Sequence, residues 1–353
     1  MRRCVWGLLM LVCCLCACGD SGKRVKEVDA FFVMEDFGPA IPLKGEPVSV
    51  EELWKPQDIR VSDSLLVLTD MYCDYFVQVH DKRTGRKLNE KLSRGSGPGE
   101  FLFCWSTQYG ADSVWTFDLQ MARINAYAKD SFLLGNHVAP SRSLRLKGAP
   151  TTVAVLPDGT FLASDLSDTE NLFTRYDASG DRDSTVSFAY PEVSYDIPSE
   201  LRKNFWENRI YYNVAQDKVV VFYVYTDLLE IYNSRMELEC RVQGPEQFGP
   251  ELGIRTVEGR SSHYLQPGVS KFSYINGVLT DSEIWTLYMG GMPTGEGDDG
   301  KLRQTLLVFD YEGHPLRHYE LDRPVTAYAV DEQERCIYAL VEHPDVAVVR
   351  FAY

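Results

Sequence analysis

Residues 93–101 read SRGSGPGEF, three glycines and a proline in nine positions, a density that could cradle a phosphate. A phosphate loop works through converging backbone N–H groups, with a lysine and the N-terminus of the next helix adding positive charge. Neither accessory is present. No Gly-Lys-Ser/Thr follows, Glu100 would repel the anion, and the downstream LFCWSTQYGADSVWTFD alternates and breaks at Asp-Ser as strands do. The segment therefore reads as a turn of the chain. A second candidate chemistry rests on carboxylates. Asp70, Asp118 and Asp165 each close an apolar run of strand character, and three such groups around a channel could hold a divalent metal such as calcium and serve a hydrolase or lyase. Aspartate at that position also caps the following loop through backbone N–H groups. Recurrence in register favours capping, because a repeat-borne residue normally serves the repeat.

Other chemical signatures are missing. There is no Gly-x-Ser-x-Gly nucleophile elbow and no His-Glu-x-x-His pair. The LPDGTF run at residues 156–161 shares half of a sialidase Asp box, but Leu156 stands where a serine belongs, so it reads as a β-turn. Residues 290–301, GGMPTGEGDDGK, carry Glu296, Asp298 and Asp299 without the alternating acids and terminal glutamate of a calcium loop. His314 and His318 lie four apart on one expected strand, hence on one face, and are expected at the surface. No cofactor is expected on this reading.

The first residues bear on the compartment. Residues 1–18, MRRCVWGLLMLVCCLCAC, place two arginines before an apolar run and small residues before Cys18, the layout of a secretory signal, with an apolar run too short to span a bilayer permanently. Leu15-Cys16-Ala17-Cys18 resembles a bacterial lipobox, which implies cleavage after Ala17 and lipidation of Cys18. The expected organisation is a signal peptide over 1–17, a tether over 18–26 and one domain over 27–353, held at the bacterial outer membrane on its periplasmic or surface side. Five of the nine cysteines sit in the leader. The others, Cys73, Cys104, Cys240 and Cys336, form no CxxC, so a structural zinc site is not expected; a Cys73–Cys104 disulfide and four free thiols both fit. Net charge is −15, and losing a leader with two arginines and no acid makes it more negative. That excludes nucleic acid as a natural partner, since duplex affinity comes largely from lysine and arginine.

Any chemistry must be positioned by a repeat. An Asp-centred turn, an apolar strand, a polar loop and a second apolar strand recur six times, with turns at Asp63-Ser64, Asp112-Ser113, Asp158-Gly159, Asp217-Lys218, Asp281-Ser282 and Glu334-Arg335. Their spacing, about 45 to 65 residues, suits four-stranded propeller blades. A further strand follows most copies: RKLNEKLS, SLRLK, STVSF, LECRVQ and PLRHYEL. The sixth copy has none because the chain ends at Tyr353. The unassigned EVDAFFVM, residues 27–34, is the strand expected to complete that blade. The fold expected is an all-β six-bladed β-propeller closed by an N-terminal strand, which also protects sheet edges.

LSRGSGPGEF followed by ADSVWTFDLQMARINAYAKDSFLL resembles an NHL-type repeat, in which a glycine-rich connector ends in Gly-Glu/Gln-Phe. The whole mature chain is similar to the TolB-like six-bladed propeller lipoproteins of Bacteroidetes. The glycines then give a tight crossing between blades, and Phe101 is expected to wedge between them. Two insertions stand out: residues 196–213, with Ser199 as a helix N-cap, and residues 248–272, long for a connector. Both should border the same end of the channel. A non-enzymatic binding or scaffolding module, presenting that mouth to a peptide, glycan or protein partner, follows from missing catalytic groups and converging aromatic loops. Tyr72, Gln120, Arg123, Asn171, Tyr225, Tyr264 and Tyr288 are the expected binding residues, tyrosine for rigid amphipathic area and Arg123 for its planar fork. Arg123 also fits a role bracing adjacent loops. The insertions' aromatics equally fit a role as core plugs.

Overall fold

The computed structural model describes residues 25–50, 52–97, 99–135, 138–292 and 302–353. Cys18 and its lipobox, tether residues 19–24, and Glu296, Asp298 and Asp299 lie outside them. The six expected turns each join the first two strands of a sheet, and six sheets form the blades of a propeller. Blade one runs Pro56–Ser62, Leu65–Asp70, Tyr75–Asp81, Lys87–Ser93 from channel to rim. Blade two is Cys104–Tyr109, Ser113–Asp118, Arg123–Ala128, Arg142–Arg145. Blade four is Asn208–Asn213, Lys218–Tyr223, Leu228–Asn233, Leu238–Gln243, and blade five Phe272–Leu279, Ile284–Gly291, Thr305–Phe309, Pro315–Leu321. Blade three has only Pro150–Val155, Phe161–Asp165 and Thr174–Tyr176. The expected fourth strand, STVSF, is irregular, and pairing beyond Tyr176 stops at a single bridge to Arg182.

Blade six, Ala327–Asp331, Cys336–Val341 and Ala347–Ala352, is completed by an N-terminal strand as expected. The strand that does it is Gly45–Val48, antiparallel to Ala347–Ala352. Pro47 sits in this strand, opposite Val349; at a blade's outer edge its missing N–H is tolerated. Within residues 27–34 only Ala30–Phe31 is a strand, and it adds parallel to the rim of blade four. The reason is aromatic packing: Phe32 and Phe37 meet Phe309 edge-on at 5.3 and 5.2 Å, seating this segment between blades four and five. Ile41–Leu43 then adds parallel to the rim of blade five. His318, expected at the surface, is buried under this strap, 6.1 Å from Phe37; His314 stays exposed.

The core is partitioned between blades. Val219, Val221 and Tyr223 pack with blade three, whereas Val220 and Phe222 of the same strand pack with blade five. Period-two alternation does this: a strand clamped on both faces has successive side chains in different interfaces. Corresponding clusters fill the interfaces of blades one and two, two and three, five and six, and six and one. Phe101 is fully buried in the first of these, the expected wedge. Before it, Gly99 takes φ +82°, a left-handed conformation that favours glycine, and the Glu100 carboxylate accepts the Gly97 N–H at 2.7 Å.

Candidate functional site

Each blade contributes its first strand to the channel, and these strands enclose a cavity of about 580 Å³. Asp58 and Arg60 of blade one project into it, with Trp105 and Tyr109 of blade two, Arg209 and Tyr211 of blade four, and Asn276 of blade five. Alternation again places them, since the intervening Ile59 packs away into the interface with blade six. Arg60 Nε donates to Asp58 at 3.0 Å, both side chains being largely buried. Burial works against the Arg60 charge, but Asp58 beside it and the Tyr211 and Tyr109 phenols together outweigh that and hold the guanidinium above its ordinary value. Burial pushes the Tyr211 phenol up, while Arg60 and Arg209 pull it down; its hydroxyl accepts the Gly277 N–H at 3.1 Å. The Gln108 amide bonds both the Val155 N–H and C=O, at 2.8 and 3.0 Å, sealing the wall between blades two and three. The cavity therefore presents one ion pair, a second guanidinium, amides and aromatic faces within one enclosure.

Its exposed lining lies at the end carrying the turns between first and second strands: Asp63, Asp281, Glu332 and Gln333. Among the described residues, none in a loop between second and third strands lines it. Asp331, also in the lining, is held by Lys82 Nζ at 2.7 Å, and the same ammonium lies 2.8 Å from Glu334. That pair and Cys336 are one of two groups among the described residues whose ligand atoms are close enough for a metal, but the lysine already neutralises it. The other group, Asp310, Glu312 and His314, is a rim turn in which Asp310 accepts the Glu312 and His314 N–H groups.

Asp70, Asp118 and Asp165 are fully buried and do not converge. Each binds a backbone N–H sixteen residues earlier, in the connector entering its own blade: Trp54 at 2.7 Å, Leu102 at 2.8 Å and Ala149 at 2.9 Å. Each also caps its own loop, through Tyr72, Met121 and Ser167 N–H groups respectively. Asp165 further receives the Tyr176 hydroxyl and Arg182, at 2.8 Å for the latter. Burial opposes the Asp165 charge, but the Ser167 and Tyr176 hydroxyls and the Ser167 and Ala149 N–H groups hold its carboxyl below the usual range. Blade four's Asp227 does the same job forwards, capping the N–H groups of Glu246, Gln247 and Phe248. These four carboxylates tie connectors to blades.

The expected binding residues gather at this connector end, and none of the seven lines the cavity. Tyr72 and Gln120 are exposed, and the Lys55 ammonium stands 5.5 Å from the Tyr72 ring. Arg123 donates to the Glu100 carbonyl and lies 5.2 Å from the Phe101 ring, bracing the glycine connector. Asn171 accepts from Ser187 and the Phe188 N–H, replacing the missing strand of blade three. Tyr225 is buried against Phe272, and Tyr288 is buried with its hydroxyl donating to Glu246 at 2.9 Å. Tyr264 is exposed on the second insertion.

That insertion is a hairpin, Gly253–Val257 paired with Arg260–Tyr264, turned by Glu258 and Gly259 at φ +51° and +76°. Two positive φ values make the two-residue turn that suits strand twist. The first insertion contains the expected short helix, Ser199–Leu201 continuing as Arg202–Phe205, but its N-cap is Pro198 and not Ser199. Leu201, Phe205 and Trp206 are buried as core plugs. All four body cysteines are free, including Cys73 and Cys104; Cys104 is buried and Cys73 Sγ is 3.0 Å from Gln78 Nε2.

The channel residues Asp58, Arg60, Trp105, Tyr211 and Asn276 escaped the sequence reading because the repeat was framed from the Asp turn onward, omitting each blade's first strand. The signal was available: PQDIRVS, CWSTQY and NRIYYN carry polar or aromatic groups where the second strands are continuously apolar.

A family model described as TolB-like 6-blade propeller-like matches residues 46–333. Two solved structures share the architecture. A member of the DUF4221 family from Bacteroides vulgatus is 8% identical, with TM-score 0.53, the match covering 89% of this chain and 96% of that one. A Bacteroides fragilis protein described as a candidate exported protein is 11% identical, with TM-score 0.52, covering 91% and 98%. At such identities the likeness speaks to fold alone. No curated protein matches this sequence closely.

Proposed function

The chain belongs to the TolB-like six-bladed propeller family, and from that premise we propose that it is a lipid-anchored envelope protein, acylated at Cys18, whose channel is a non-enzymatic binding site for the end of a peptide or a short glycan. The observation that carries the binding reading is the channel cavity of about 580 Å³, in which an ion pair, amides and aromatic rings converge from several blades. A cavity of that size takes a chain end or a few sugar units, not a folded domain. The lipobox and the exported description of the Bacteroides fragilis relative support the envelope. Carboxylates serving as loop caps leave the metal-dependent hydrolase or lyase without an assembled set of ligands.

Peptide and glycan arrays probed with the purified protein test this, followed by titration of the best ligand. Asn276→Ala should weaken binding about tenfold, the worth of one or two hydrogen bonds, with the melting temperature unchanged; Tyr211→Phe should weaken it similarly while lowering the melting temperature somewhat, because the Gly277 N–H loses its acceptor. If those variants bind normally while Tyr264→Ala or Tyr72→Ala does not, the site is at the connector end and the channel reading fails.

A further inference from the structure

The hairpin in the second insertion has one face unlike the rest of this acidic protein. Its register puts Arg255 opposite Ser262, Val257 opposite Arg260 and Gly253 opposite Tyr264, so Arg255, Arg260, Val257 and Tyr264 share a side with no carboxylate. All four are exposed. The Tyr264 ring lies over Gly253, where an added Cβ would meet it at 2.3 Å, so the ring is held flat on the hairpin. Two guanidiniums, an aliphatic side chain and a tyrosine in one plane form an interfacial surface: the arginines suit anionic headgroups and the ring suits the boundary of the acyl region.

The chain's path brings a membrane to it. Val25 pairs with Val193, the Tyr195 hydroxyl donates to the Pro250 carbonyl at 2.6 Å, and Val25 shares one hydrophobic cluster with Leu252, next to the hairpin. Six residues lie between Cys18 and Val25, so the span from one to the other is at most about 25 Å. An acyl group on Cys18 therefore keeps the bilayer within reach of the side where blades three and four meet, the interface from which the hairpin emerges. The connector end also exposes Trp54 and Leu166; Asp74, Glu170 and Asp345 are exposed there too, so the attraction to an anionic surface rests on the hairpin's two arginines, while the opposite end exposes Asp63, Asp281 and Glu332 around the channel mouth. We propose that the Arg255, Val257, Arg260 and Tyr264 face docks on anionic phospholipid, orienting the propeller with its connector end toward the membrane and its acidic channel mouth away from it. This rests on the lipid anchor proposed above.

The test uses the full lipidated protein in phosphatidylcholine vesicles with and without phosphatidylglycerol, read by amide hydrogen exchange. Exchange across residues 253–264 should slow about tenfold in the anionic vesicles only, while the turns at Asp63 and Asp281 exchange alike in both. The double variant Arg255→Glu/Arg260→Glu, at exposed positions, should abolish the slowing without lowering the melting temperature. Equal exchange in the two vesicle types overturns the docking and leaves the anchor standing. Protection that persists in neutral vesicles and the charge-reversed variant points to a second copy or a bound peptide, and also overturns it. Mass spectrometry of Cys18 checks the anchor separately: an unmodified thiol sinks both readings.

Discussion

Carboxylates mark both ends of this propeller, and they do opposite things. At the connector end Asp70, Asp118, Asp165 and Asp227 are fully buried, each accepting at least two backbone N–H groups from the connectors and loops of its blade. At the turn end Asp63, Asp281 and Glu332 are exposed around the cavity mouth. The difference teaches that residue type at a repeat position does not define a site. A buried carboxylate is kept only if it is hydrogen-bonded, and these four are committed to backbone N–H groups of their own loops and connectors. The exposed lining of the channel is at the opposite end from the one the loops indicate.

Breaking the buried set should have the largest effect. Asp165→Ala strands the Ala149 and Ser167 N–H groups and removes the carboxylate that Arg182 pairs with, so stability should fall by about 3 kcal/mol or more, a melting shift of roughly 6 °C or beyond. Asp118→Ala should act in the same direction. Asp63→Asn and Asp281→Asn, at the exposed end, should stay within about 0.5 kcal/mol; asparagine tolerates the φ of +50° at Asp63. Equal losses at the two ends would erase the distinction drawn between them.

A cation sharpens it next. Lys203, in the helix of the first insertion, is buried with Nζ donating to the Leu172 carbonyl at 2.7 Å, and burial pushes its pKa down to about 8, against the pull of Asp168 and Asp165. Below pH 8 the folded state carries a penalised charge, so Lys203→Met should be more stable than the wild type by about 1–3 kcal/mol. Between pH 8 and about 10.5 the unfolded lysine binds a proton that the folded one has lost, which stabilises the wild type as pH rises. Paired melts across that range should show the gap closing, and a constant gap would contradict the assignment.

The smallest effect concerns acid. Asp165 has its folded pKa lowered, so its contribution is complete above the unfolded value of about 3.9 and is lost as pH falls through the folded value. Wild type and Asp165→Asn should therefore differ most near neutrality and converge below about pH 4. Divergence in acid would show that the carboxyl is not held by its N–H donors.

Much of the architecture was legible in the residues. Six turns, the apolar second and third strands, the glycine connector and the Phe101 wedge all follow from local chemistry: left-handed turn residues and period-two alternation act over a few positions. The closing strand was less legible. EVDAFFVM looks more like a strand than GEPV, yet the first is drawn to blade four by Phe32 and the second closes the ring despite Pro47. The hairpin at 253–264 was signalled only by Glu258-Gly259 between alternating residues. Blade three's lost strand had no signal, because its place is filled by side chains: Asn171 holding Ser187 and Phe188, and Asp165 gathering Tyr176 and Arg182.

By itself the sequence determined that this chain repeats a strand-turn-strand unit six times, that its repeat-borne aspartates sit at loops, and that its body carries a net negative charge. Those properties depend on residue type and short-range spacing. Only the tertiary structure decided which end of the ring carries the channel's exposed lining, which N-terminal segment closes the last blade, and that Asp58, Arg60, Tyr211 and Asn276 meet in one cavity. They come from blades distant in sequence, and they are brought together only when the ring closes and alternation aims each first strand inward.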